Sequence, residues 1–147
     1  MSLNETLMAD LKAAMMAKDE IGKRTLRMLK SDLGKKEVEL GRDLTEEEEL
    51  TLLTGAVKSR KDSLAEYEKA GREDLAEGER EELAVLARYL PEPLDDAAAR
   101  AAIAALAEEL GVTEKKQMGA LMKEVMVRFR GQIDGKLASK IAGSLLS

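Results

Sequence analysis

The chain has 147 residues, 24 basic against 29 acidic, for a formal charge of -5. That length suits one domain or two small ones. Hydrophobic residues (44%) and charged residues (36%) describe a globular rather than a disordered chain, and aromatics at 2% favour helix over sheet. The absence of Cys and His excludes disulfides, thiolate nucleophiles, zinc-finger-type sites and triad chemistry.

Leu3, Leu7, Leu11 and Met15 recur every fourth residue and predict one face of a first helix. A second helix is expected from an Asp19 N-cap, with Leu26, Leu29 and Leu33 inward and an end before Gly41. Thr45 to Glu48 reads as a capping box opening a long third helix lined by Leu50, Leu53, Val57, Leu64 and Tyr67 and stopped by Gly71. Arg60 falls on that inner face, with its stem expected to pack while its charge reaches solvent. A fourth helix is expected from Glu73 to Tyr89, with Leu83, Leu86 and Leu90 inward.

The only two prolines, Pro91 and Pro93, then break the pattern, so a boundary is placed here, between domains 1–92 and 93–147. Asp95 and Asp96 predict the cap of a fifth helix through Ile103, Leu106 and Leu110, ending at Gly111. Thr113 is the expected start of the next helix, in which Met118, Leu121, Met122, Val125, Met126 and Phe129 keep helical spacing. Leu137, Ile141 and Leu145 mark the last helix. No stretch alternates as a strand does, and the expected fold is all-α.

No apolar run approaches the roughly 20 residues of a membrane span. The N-terminal stretch carries Glu5 and Asp10 and no basic leader region, so a soluble, cytoplasmic protein without membrane association is expected.

The stretch from Phe129 to Lys140 superficially suggests a phosphate-binding loop. Its glycine spacing is one residue short, Leu137 stands where Ser or Thr belongs, and no strand precedes it, so nucleotide cradling of that type fails. Gly131 is better read as a helix end and Asp134 as the cap of the next helix.

The basic residues around that turn have a second reading. From Val112 to Ser147 seven basic residues face three acids, +4, which leaves -9 for residues 1–111. Lys123, Arg128, Arg130, Lys136 and Lys140, with the open backbone of Gly131 and Gly135 and the amides of Gly135 to Leu137, form a candidate site for a phosphodiester backbone. The scarcity of aromatics argues against base stacking. Lys23, Arg24, Arg27 and Lys30 load the second helix, and Lys58, Arg60 and Lys61 the third. The acids Glu46 to Glu49 fit the dipole of a helix start, and Met118, Met122 and Met126 fit core spacing, so no metal or cofactor is expected.

Several stretches together resemble the YqeY family: "RMLKSDL" (27–33), "DLTEEEEL" (43–50), "VKSRKDSLAEYEKAGREDLAEGE" (57–79), "YLPEPL" (89–94) and "MGALMKEV…RGQIDGKLASKI" (118–141). The family's "KGRADGKLVN" pattern stands here as Arg130 to Ser139, with Gln132, Ile133, Ala138 and Ser139 departing from it. The resemblance implies an N-terminal domain of about four helices and a three-helix tail similar to that of GatB. GatB is a subunit of the glutamine-dependent amidotransferase that corrects misacylated tRNA. It also implies a tRNA-associated module, accessory to that amidotransferase or to other translation proteins, under a label of carbon–nitrogen ligase with glutamine as amido-nitrogen donor. No residues of a catalytic cradle are found in this chain, so no catalysis by the chain alone is expected. The alternative is a helical protein–protein adaptor that binds no nucleic acid.

Overall fold

The computed structural model describes residues 2–147, and among them every regular element is helical. The α-helices are α1 (Leu3–Met16), α2 (Glu20–Leu40), α3 (Glu46–Lys69), α4 (Glu73–Ala87), α5 (Asp96–Leu110), α6 (Met118–Arg128) and α7 (Gly135–Leu145). A single 3-10 turn, Lys115–Gln117, precedes α6. The chain divides into two compact units, Met1–Leu90 and Pro91–Ser147.

Local chemistry sets most of the ends. Ser2, Asp19, Thr45, Asp95 and Asp134 each accept a backbone N–H from the first turn of the helix they precede, satisfying donors that have no intrahelical partner. At Thr45 the capping box is complete, since Glu48 also accepts from the Thr45 amide at 3.0 Å. Gly41 and Gly111 close α2 and α5 in the left-handed conformation, where a Cβ would be strained. Two boundaries differ from expectation. The start before α6 is organised by Glu114 and Gln117 rather than Thr113, because the Gln117 Oε1 accepts from both the Thr113 and Glu114 amides. Helix α4 ends at Ala87, two residues before Tyr89, as the following amides turn back to carbonyls three residues behind.

In the first unit α1 lies along α2, α3 along α4, and α2 also packs on α4. Its core holds Leu7, Leu26, Leu29, Leu33, Leu53, Val85 and Leu86. Met15 is half exposed, at 50%, and Ala14 takes the buried place. The cause is helical pitch: a four-residue repeat drifts about 40° per step, so three steps from Leu3 carry Met15 well off the core line.

Arg60 corrects a second expectation. It is only 8% exposed. Its Nη1 donates to the Ala56 carbonyl at 3.0 Å and its Nη2 reaches the Met28 Sδ at 2.9 Å. Its Nε sits 3.2 Å from a Glu82 carboxylate oxygen, close enough for an ion pair but too poorly aimed for a hydrogen bond. The other Glu82 oxygen accepts from Arg24 at 3.1 Å, so one acid on α4 ties α2 to α3. The charge is held inside by its partner.

The second unit has its own core: Ala99, Ile103, Leu106, Leu121, Val125, Ile133, Ala138, Ile141 and Ala142. Here α5, α6 and α7 contact one another pairwise. The final residue is pinned, since the Ser147 amide donates to the Thr113 carbonyl and the Lys115 amide to the Ser147 carbonyl, both at 3.1 Å.

Candidate nucleic-acid interface

The turn between α6 and α7 is built by a glycine and an aspartate. Gly131 has φ +81 and lets the chain reverse after Phe129. The Gln132 and Ile133 amides then return to the Phe129 carbonyl at 2.9 and 3.2 Å. Ile133 is buried in the core of this unit, and the Gln132 carbonyl accepts the Leu94 amide at 2.9 Å. Two of the residues that depart from the family pattern thus lock the turn, Ile133 inward and Gln132 onto the segment after Pro93.

Asp134 caps α7 by accepting the Leu137 amide at 3.4 Å. This corrects one part of the expected site. The Leu137 N–H is directed at the chain's own carboxylate, and that carboxylate places a negative charge where an anion was expected to bind. Gly135 opens α7, and nothing lies within 4 Å of the place a Cβ would take, so no intrachain packing requires a glycine there.

The cations divide into two groups. Arg128 is clamped: its two Nη atoms meet the two Glu109 oxygens at 2.7 and 3.2 Å, and its Nε lies 3.5 Å from Glu124. The clamp holds the Glu109 carboxyl below the usual carboxylate range and raises the Arg128 guanidinium above its own. Arg130 is half-buried, with its Nε donating to the Met126 carbonyl at 3.2 Å. Lys123, Lys136 and Lys140 form the other group. All three are exposed, and none has an ion-pair partner among the described residues.

Lys136 and Lys140 are one turn apart on α7, opposite the buried Ala138, Ile141 and Ala142. The helix itself carries no acid. The +4 of residues 112–147 does not extend over the whole unit. Residues 91–147 hold eight basic and eight acidic side chains, and α5 brings Glu109 back against Arg128. The arrangement offers a small lysine face rather than a broad basic surface.

Sequence reasoning missed the Glu109 clamp and the Glu82 pairing in the first unit. Glu109 lies 19 positions from Arg128, and no local spacing signals such a pair. In the first unit a cleft of about 210 Å³ is lined by Glu5, Glu37, Asp43 and Glu49 beside Leu3, Leu33 and Leu44. Burial raises the Glu49 carboxyl. Among the described residues no group of three or more acids is arranged to hold a metal ion, and no helix is long and apolar enough to cross a membrane.

The profile of the family described as Yqey-like protein matches residues 4–146. Among curated proteins the chain is similar to yeast proteins named "Altered inheritance of mitochondria protein 41, mitochondrial". The identity is 41% over 85 residues for that of Lachancea thermotolerans, covering 57% of this chain and 46% of the relative. It is 41% over 87 residues for that of Vanderwaltozyma polyspora, with the same coverage. For Kluyveromyces lactis it is 40% over 84 residues, covering 56% and 45%. The chain thus spans a little under half the length of the curated relatives it matches.

Proposed function

The chain belongs to the Yqey-like protein family, and on that premise we propose that it is a tRNA-associated binding module that grips the phosphodiester backbone. The observation that carries this reading is the outer side of α7, where Lys136 and Lys140 stand unpaired on a helix without acids. Lys123 adds a third unpaired cation from α6. Backbone contacts of this kind hold a nucleic acid in place without reading its sequence. With two tyrosines, one phenylalanine and no tryptophan, the chain lacks the platforms that stack single-stranded bases. Its proposed place is beside a glutamine-dependent amidotransferase or another translation protein that handles tRNA. Its proposed role is binding rather than catalysis, since without His or Cys an active site would have to be assembled from carboxylates, lysines and hydroxyls. The proposed compartment is the cytoplasm, with the mitochondrial names of the yeast relatives standing against it.

Anisotropy of labelled total tRNA, titrated with the full chain over a range of salt, tests the reading. Replacing Lys136 and Lys140 by Gln should leave the helical circular dichroism unchanged and lower the log–log salt slope by about one to two units, since each backbone contact contributes a little under one. The loss should be alike for different tRNAs. Arg128 and Arg130 are left in place, because each holds protein contacts whose loss would confuse the outcome. A variant that binds as wild type at every salt concentration refutes the patch. One observation favours a protein-binding adaptor instead, namely the equal count of acids and bases in residues 91–147. A folded chain with no salt-dependent affinity for tRNA would decide for it.

A further inference from the structure

The outward face of α2 carries the strongest unpaired basic stripe of the first unit. At roughly 100° per residue, Arg27, Ser31 and Gly34 run along the middle of this face, with Lys30 on one side and Lys35 on the other. Buried Leu26, Leu29 and Leu33 lie on the opposite side. Lys23 and Arg24 continue the stripe toward the N-terminus but are engaged by Glu20 and Glu82. Arg27, Lys30 and Lys35 have no ion-pair partner among the described residues. The one acid between Lys23 and Lys36 is Asp32, which lies more than a quarter-turn from the middle of the stripe and is half-buried, as Lys30 is.

Gly34 is one of several helix-interior glycines, with Gly55, Gly78, Gly119 and Gly143, that have open space at the Cβ position. It sits inside a 21-residue helix, where glycine is a poor helix former, and nothing lies within 4 Å of where its Cβ would be. No packing within the chain accounts for it. On this face its small size leaves helix backbone open beside Lys30 and Lys35.

We propose that this face of α2 is a second contact surface for a nucleic-acid backbone, with duplex RNA as its ligand. It lies outside the α7 patch and rests on the same reading of the chain as an RNA-binding module. The charge count of the whole unit does not forbid it. Residues 1–90 hold 16 basic and 21 acidic side chains, but exposed charges more than a Debye length of about 8 to 10 Å away are largely screened. From Arg27 to Lys35 the stripe runs about 12 Å along the helix. That length spans more than one phosphate of a nucleic-acid strand, whose charges recur along the duplex.

A short blunt RNA duplex, titrated with the full chain by anisotropy against salt, tests the surface. The variant R27Q/K30Q/K35Q should keep its thermal unfolding and lose about two to three units of salt slope. Gly34→Leu separates the surface from the fold. It should raise the unfolding temperature by about 4 °C, because leucine is the better helix former, and yet weaken RNA binding by blocking approach to the backbone. A triple variant with the wild-type slope, alongside loss of binding in K136Q/K140Q, overturns the α2 surface and leaves the α7 reading standing. The opposite pattern upholds α2 and refutes α7. No duplex binding by the wild type at low salt overturns the α2 surface, and the α7 reading falls with it only if total tRNA is not bound either. If polyglutamate competes away the duplex and loses its own binding in the triple variant, the face belongs to acidic protein segments and the RNA assignment is wrong.

Discussion

Replacing Glu82 by Ala should destabilise the first unit by about 3 kcal/mol. The structure sets that magnitude. The side chain of Arg60 is only 9% exposed and that of Glu82 14%, so removing the acid strands a buried cation. Breaking a buried pair from one side costs about 3 to 5 kcal/mol. The lower end applies because Arg60 keeps its hydrogen bond to the Ala56 carbonyl. Arg24 also loses its partner but is 64% exposed, where water replaces an ion pair at little cost. Against a domain stability of about 5 to 15 kcal/mol this is a large fraction. Urea or thermal unfolding followed by circular dichroism measures it, with an expected fall of roughly 12 to 24 °C in the unfolding temperature. The double replacement Arg60→Met with Glu82→Leu should recover most of the loss, since an apolar pair of similar volume avoids the desolvation of both ions. A loss under about 1 kcal/mol for Glu82→Ala would put the pair in the range of exposed salt bridges. The burial argument would then be refuted, and so would failure of the double variant to outperform the single one.

Two further outcomes follow from local features. The Arg42 guanidinium, followed by the Thr45 amide, holds the Glu48 carboxyl down to about 2. Because this pKa is depressed on folding, its contribution to stability is complete above the unfolded value of about 4.3 and disappears as pH falls toward 2. A carbonyl-detected NMR titration should find Glu48 ionised at pH 3, and Arg42→Gln should move its midpoint up toward the ordinary range; an ordinary midpoint in the wild type would contradict the capping geometry. Limited proteolysis should cut near Pro91 and Pro93 and release a fragment of residues 95–147 that keeps helical circular dichroism, because that unit packs its own core. An unfolded fragment would mean that this core is too small to stand alone.

The all-α class and most helix ends were legible in the sequence because their causes are local. A cap is made between a side chain and an amide three residues on, as at Asp19, Thr45, Asp95 and Asp134, and a left-handed glycine closes the far end of α2 and of α5. The apolar stripes were legible for the same reason, although the exact four-residue repeat misled at Met15, which the helical pitch turns outward. Of the basic residues named for the α7 site, the sequence identified the positions but not their engagements. It could not tell that Lys136 and Lys140 stay unpaired while Arg128 is held by an acid on α5. Nor could it place the Arg60 charge inside the first unit, opposite Glu82 from another helix. A cap depends on atoms a few bonds of backbone apart, so composition and spacing suffice to find it. The fate of a charge depends on which side chains the packing of separate helices brings within about 4 Å, and that is decided only when the tertiary structure forms.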